Sequence, residues 1–245
     1  MIKTLIISVS VLICRLTAIA QDDSCVTSEL SRFPFGEFAF STALVGIGAV
    51  GLENDNLKFQ NFEINDEISE ASLKYRSFDN FSQYVPVSAV LILNLSHLNG
   101  KHNTLDLSCS IITAFTIMST SVVLLKSITH EQRPDGSAYN SFPSGHTATA
   151  FAGAEILRVE YGRQYPVIAF SGYSVTVLTG FMRMYNRRHW LTDVVAGAGV
   201  GILSARVAYL LLPLEKRFVN GRLSSVTFVP DFSNNTQGFC LSVAF

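Results

Sequence analysis

Between residues 126 and 193 the chain gathers the side chains that can handle a phosphate group. Lys126 is followed by Arg133-Pro134, then by Pro143-Ser144-Gly145-His146, then by Arg183, His189 and Asp193. A tetrahedral dianion needs several donors and positive charge around its oxygens. Lys126 offers a point charge, and Arg133 and Arg183 offer planar forks that can bridge two oxygens. Pro134 stiffens the backbone after Arg133, and Pro143 fixes the start of the next segment. Gly145 lets the backbone come close to a ligand, and Ser144 adds a hydroxyl donor. A helix starting near His146 would aim its free amide groups and positive dipole end at the same point.

The same residues can carry a reaction. His189 and Asp193 are four residues apart at the start of an apolar run, so they are expected to share one helix face. A carboxylate there can keep one imidazole nitrogen protonated and leave the other free to attack, with the histidine itself as nucleophile. His146, from a different cluster, can protonate the leaving oxygen. This division of labour suits phosphoryl transfer without a metal.

Each cluster alone has an ordinary reading. Pro-Ser-Gly-His is a turn before a helix, and His-x(3)-Asp is a common helix-surface pair. Arg187 and Arg188 read as a solvated or headgroup-facing pair able to attract anions. His130 and Glu131 read as loop-exposed, and Trp190 as an interface anchor. His130, His146 and His189 lack a metal-ligand spacing, and nearby arginines would repel a cation, so neither metal nor cofactor is expected. It is the three clusters in order that point to phosphate chemistry.

The elements that position them are apolar. The 245 residues are 48% hydrophobic and only 15% charged, against about 25% charge in an ordinary soluble domain; mean hydropathy is +0.32. The formal net charge of −1 gives no reason to expect nucleic acid as a partner. Residues 37–52, 81–98, 105–125, 147–157, 165–182 and 191–214 are apolar segments whose lengths bracket the roughly 20 residues that cross a bilayer, and several fall short of a full span. The expected fold is all-α: a membrane-type bundle of about five to six helices with a short β-hairpin-like tail. Residues 1–20 read as a signal peptide or N-terminal anchor. Residues 21–79 form apolar and amphipathic segments, 80–213 the catalytic core and 214–245 the tail. Of the four cysteines, Cys14, Cys25, Cys109 and Cys240, none forms a C-x-x-C pair. Cys25 and Cys240 could pair only if both lie on the oxidising side. Basic residues at 101, at 158 and 163, and at 216, 217 and 222 alternate with the loops 126–146 and 183–193, which places those loops on the exported side. That count requires 37–52 to lie flat or stay within the fold.

Lys-x(6)-Arg-Pro, Pro-Ser-Gly-His and Arg-x(5)-His-x(3)-Asp resemble the three signature motifs of the type 2 phosphatidic acid phosphatase superfamily. That group includes lipid phosphatases, bacterial non-specific acid phosphatases and vanadium haloperoxidases on a shared helical core. The resemblance covers roughly residues 80–213. It implies His189 as the phosphorylated nucleophile, Asp193 as its partner and His146 as the leaving-group acid. It implies Lys126, Arg133, Ser144, Gly145 and Arg183 as phosphate ligands. The third motif usually begins Ser-Arg; here Met182 stands before Arg183 and cannot donate the hydrogen bond a serine could. The short connector from Pro134 to Pro143 suggests an open site. The substrate expected is a phosphorylated lipid at a membrane: phosphatidic acid, phosphatidylglycerol phosphate, an isoprenoid pyrophosphate or lipid A. The alternatives are a soluble exported acid phosphatase acting on small phosphoesters, a haloperoxidase, and a non-catalytic lipid-binding protein.

Overall fold

The computed structural model describes residues 35–71, 77–96, 98, 100–223, 226–231 and 238–243. The expected export or anchor segment, with Cys14 and Cys25, lies outside them, and of Cys240 only the backbone is described. Among the described residues there are eight helices: α1 (Phe35–Val50), α2 (Asp55–Ala71), α3 (Asp79–Ser82), α4 (Val85–Leu95), α5 (Thr104–Thr129), α6 (Gly145–Tyr161), α7 (Pro166–Tyr185) and α8 (Leu191–Leu223). Strands β1 (Val226–Asp231) and β2 (Gly238–Val243) follow and pair antiparallel.

Local chemistry sets the boundaries. The Asn103 side chain caps α5 by accepting from Asp106 N at 2.8 Å. His130 ends that helix in the left-handed region, at φ 46°. Pro86 and Pro166 sit in the first turns of α4 and α7, where a missing N–H costs nothing. The segment 81–98 is accordingly broken, with α3 ending before Gln83-Tyr84 and α4 starting at Val85.

Helices α6 and α8 form the centre, with α7 and α4 on α6 and with α5 and α1 on α8. Small residues let them approach. A side chain at Gly197 would meet the Ser144 carbonyl at 2.5 Å, and one at Gly201 would meet the Ala148 carbonyl at 2.3 Å, so α8 lies backbone-to-backbone against α6. Gly48 faces Ala196, and Gly199 faces Val45 and the Ser41 carbonyl, which makes α1 antiparallel to α8. Segment 37–52 therefore stands upright within the bundle instead of lying flat. Six upright helices, α1, α4, α5, α6, α7 and α8, alternate in direction. The 130–144 and 186–190 loops, α2 and α3 gather at one end.

Three helices are long and apolar enough to cross a membrane: Thr104–Thr129, Pro166–Tyr185 and Leu191–Lys216. Ile112 and Ile128 on α5, and Val167, Phe170, Val177 and Phe181 on α7, are exposed. Outward apolar faces on that scale suit lipid, and the fold is a membrane-type helical bundle.

At the end away from the loops, carboxylates hold the helices together. Buried Glu155 accepts from Arg158 at 2.7 and 3.0 Å, pairs with Arg206 at 2.9 Å, and accepts the Tyr173 hydroxyl. Glu160 accepts from His102 N at 3.0 Å and the Tyr209 hydroxyl at 2.6 Å, and meets His102 Nδ1 at 2.8 Å. Beside them opens a cavity of about 1090 Å³, whose lining includes Lys101, Arg158, Arg163 and Arg206.

Candidate active site

The three sequence clusters meet at the loop end. Lys126, in the last turn of α5, donates to the carbonyls of Asn140 and, at 3.1 Å, Ser141. It lies within electrostatic range of Asp193, Arg133 and Arg183. Arg133 sits in a turn closed by its own N–H to Ala138 O at 3.0 Å and by Gly136 N to its carbonyl at 2.9 Å. Arg183 is buried in the last turn of α7. Among the described residues, Nε of Arg133 and Nε of Arg183 are buried without a hydrogen-bond partner. Burial, and the charges of Arg183 and Arg188, push the Arg133 guanidinium below its usual range. Two buried donors on crowded cations are costly unless an anion meets them.

Ser144 is the N-cap residue of α6, and Gly145 its first residue. Ser144 N donates to the Asp193 carbonyl at 3.0 Å, which ties the second cluster to the third. Its hydroxyl accepts from Thr147 Oγ1 at 2.9 Å and leaves its own proton to donate. His146, one residue on, is half-buried, and its Nε2 lies 3.1 Å from Asn80 Oδ1. Burial, then Arg183, lowers His146 to about 4.

His189 does not share a helix with Asp193 as the spacing suggests. Helix α8 begins at Leu191, and His189 lies in the turn before it. The carboxylate of Asp193 is spent on that start: Oδ2 accepts the Trp190 N–H at 2.9 Å, from the third position of the helix back to its cap. The Trp190 side chain cannot cap, and Asn61 on α2 accepts from Thr192 N at 3.4 Å. The same oxygen of Asp193 still stands 3.6 Å from His189 Nδ1, with Ser141 between them. The Ser141 hydroxyl donates to Asp193 Oδ2 and lies 3.5 Å from Nδ1. Nδ1 is thus turned to Ser141 and Asp193, which leaves Nε2 as the nitrogen able to attack. Burial lowers His189 to about 4, against the pull of Asp193, so the ring is neutral at physiological pH.

Several contributors lie outside the predicted set. Asp79, fully buried on α3, pairs with Arg183 Nη1 and accepts from Asn186 Nδ2 at 3.2 Å. Asn80 meets His146, Ser141 bridges to Asp193, and Asn61 secures the start of α8. None belongs to a motif with a fixed spacing; only a polar run in 53–80 and a serine just before Pro143 hinted at them. Arg188 is not simply solvated, since it pairs with Asp135 at 3.1 Å. Glu131 is half-buried, with its carbonyl accepting from Ser141 N at 2.9 Å. Trp190 packs edge-on to Phe62 of α2, with centroids 4.9 Å apart, and donates to Gln132 O at 2.9 Å. Met182 is half-buried, and its carbonyl accepts from Asn186 N at 3.0 Å.

Part of the chain that carries these features is similar to known proteins. Residues 103–217 match the family model described as PAP2 superfamily. The chain is 38% identical over 166 residues to the lipid A 1-phosphatase of Porphyromonas gingivalis, covering 65% of this chain and 37% of that protein. It is 35% identical over 83 residues to the probable lipid phosphate phosphatase 4 of Arabidopsis thaliana, covering 29% of this chain and 27% of that one. The chain thus spans little more than a third of the first relative and less of the second. Among solved structures, Aquifex aeolicus LpxE aligns at TM-score 0.47 and 23% identity, over 61% of this chain and 94% of that one. A transmembrane PAP2-type phosphatidylglycerolphosphate phosphatase from Bacillus subtilis aligns at 0.47 and 19%, over 76% and 98%. Lys126, Arg133, the Pro143–His146 turn, Arg183, His189 and Asp193 all fall inside residues 103–217, the part of the chain that is similar to the PAP2 superfamily.

Proposed function

We propose that this protein is a membrane phosphatase that removes phosphate from a phosphorylated lipid through a phosphohistidine at His189, without a metal. One observation carries the reading. A neutral, buried imidazole, turned by Ser141 and Asp193, shares a site with two buried arginine Nε donors that no protein group satisfies.

In this reading Lys126, Arg133 and Arg183, with Ser144 and the backbone at Gly145, hold the phosphate oxygens. The His189 Nε2 lone pair forms the N–P bond while the P–O bond to the leaving group breaks. His146 gives its proton to the departing oxygen. Water then attacks phosphorus, His146 takes its proton, and the P–N electrons return to His189. Asp193 and Ser141 keep Nδ1 oriented through both steps. A bound phosphate dianion raises His146 above its unliganded value, which makes it an acid when substrate is present.

A phosphorylated lipid is favoured because the site lies at one end of a bundle whose outer faces are apolar, and because one relative is named a lipid A 1-phosphatase. The exported side is favoured because Lys101, Arg158, Arg163 and Lys216 all lie at the other end, and cytoplasmic ends carry the excess of basic residues.

The test uses purified protein in detergent with lipid A, phosphatidic acid, phosphatidylglycerol phosphate, an isoprenyl pyrophosphate and a small chromogenic ester. Phosphate release from a lipid that survives EDTA, is blocked by vanadate and vanishes in His189→Ala is expected. A requirement for a divalent metal, or turnover of the small ester alone, would overturn the reading.

A further inference from the structure

A fourth cluster, outside residues 103–217, reaches the site from α3. Asp79 is buried against Arg183 and Asn186, and Ser82 exchanges a hydrogen bond with Thr179 of α7 at 2.8 Å. These two anchors fix the single turn between them. They present Asn80, at the mouth of the site, to the ring of His146, with Oδ1 at 3.1 Å from Nε2. An amide oxygen only accepts, so it selects the ring form with a proton on Nε2. That leaves Nδ1 as the nitrogen that gains and loses a proton.

Building on the phosphatase reading, we propose that Asn80 is a positioning residue for the leaving-group acid: it pins the Nε2 proton of His146, so that Nδ1 is the atom that hands a proton to the departing oxygen. In the protonated ring Nε2–H stays on Asn80 while Nδ1–H passes to the alkoxide, and the ring returns to the neutral form that Asn80 already holds. No proton relocates between nitrogens during the cycle. The other titratable groups facing His146 are Arg183 on α7, Asp79 on α3, His189 before α8 and Arg133 in the loop after α5.

The test compares two leaving groups. An alkyl phosphomonoester, such as a short-chain phosphatidic acid, departs as an alkoxide that needs a proton. p-Nitrophenyl phosphate departs as a stable phenolate that does not. Asn80→Ala should lower kcat/KM by about tenfold on the alkyl ester and by less than about threefold on the aryl ester, as expected when general-acid help is lost. Equal losses on both esters, or none on the alkyl ester, would overturn the role. Asn80→Asp keeps the acceptor and adds a charge that favours the imidazolium. It should retain alkyl-ester turnover and move the alkaline limb of the pH profile upward; an unmoved limb would also overturn the role. Wild-type protein that releases phosphate from neither ester nor from any lipid of the panel would bring down the phosphatase reading and this proposal with it. An active wild type with equal losses in Asn80→Ala would sink Asn80 alone.

Discussion

The two ends of the bundle both bury ions, but they do so in opposite ways. Away from the loops, Glu155 faces Arg158, Arg206 and Tyr173, while Glu160 faces His102 and Tyr209. Each carboxylate draws several donors from neighbouring helices, which locks α6, α7 and α8 in register. At the loop end, three cations and two histidines share the space with Asp79 and Asp193. One of these carboxylates is engaged by Arg183 and Asn186, the other by Ser141 and a helix start. Donors remain over, on Arg133 and Arg183. Glu155 and Glu160 are paired within the bundle and stabilise the fold. In the proposed reading the loop end is matched to an anion from outside, and stability is given up there for binding.

The largest expected effect is on chemistry. His189→Ala should lower turnover by about 10⁴-fold or more, read as phosphate release, while thermal unfolding in detergent stays near wild type. Retained turnover would mean that another group attacks. The reverse pattern is expected at the other end. Glu155→Ala strands two arginines and should cost about 3–5 kcal/mol of stability, seen as a lower midpoint of thermal unfolding. Protein that remains folded should keep kcat within about twofold, the small change expected of a residue far from the reaction. A large kcat loss with unchanged stability would erase the contrast between the ends.

Arg133→Gln removes a crowded cation. It should cost about ten- to a hundredfold in kcat/KM through a lost fork to phosphate, yet change stability by less than about 1 kcal/mol. A destabilisation as large as that of Glu155→Ala would show that Arg133 serves the fold. Gly197→Ala tests the seam between the ends. Its methyl group would press on the Ser144 carbonyl and separate the second cluster from the third. A loss of about 1–3 kcal/mol, with a fall in turnover beyond what unfolding explains, is expected from parallel melts and assays. The smallest effect concerns pH. His189 must be neutral to attack, so kcat/KM should fall as pH drops through about 4. A limb set near the ordinary histidine range would place the nucleophile in a wetter site than this one.

The sequence spoke most clearly where spacing and chemistry coincide. Lys126, Arg133, Pro143–His146, Arg183, His189 and Asp193 come together because each sits at a helix end or in a short loop on one side of an alternating bundle. One reading failed for a local reason. His189 falls before α8, since Asp193 is spent on the helix start at Trp190. Of the two placements open to segment 37–52, flat or within the fold, the second holds, because Gly48 meets Ala196 and Gly199 meets Val45 in close packing on α8. Asp79, Asn80 and Ser141 left only a faint trace because a polar residue has no signature until its partner, 52 to 104 residues away, is in place.

Whether His189 takes the phosphoryl group can be tested by trapping. Purified protein is mixed with a substrate carrying labelled phosphate, quenched within the first turnovers, and mapped by mass spectrometry under alkaline conditions. Acid-labile, alkali-stable label on His189 is expected, formed in the presence of EDTA and absent from His189→Ala. Label on another residue, or turnover in which His189 is never phosphorylated, would contradict it.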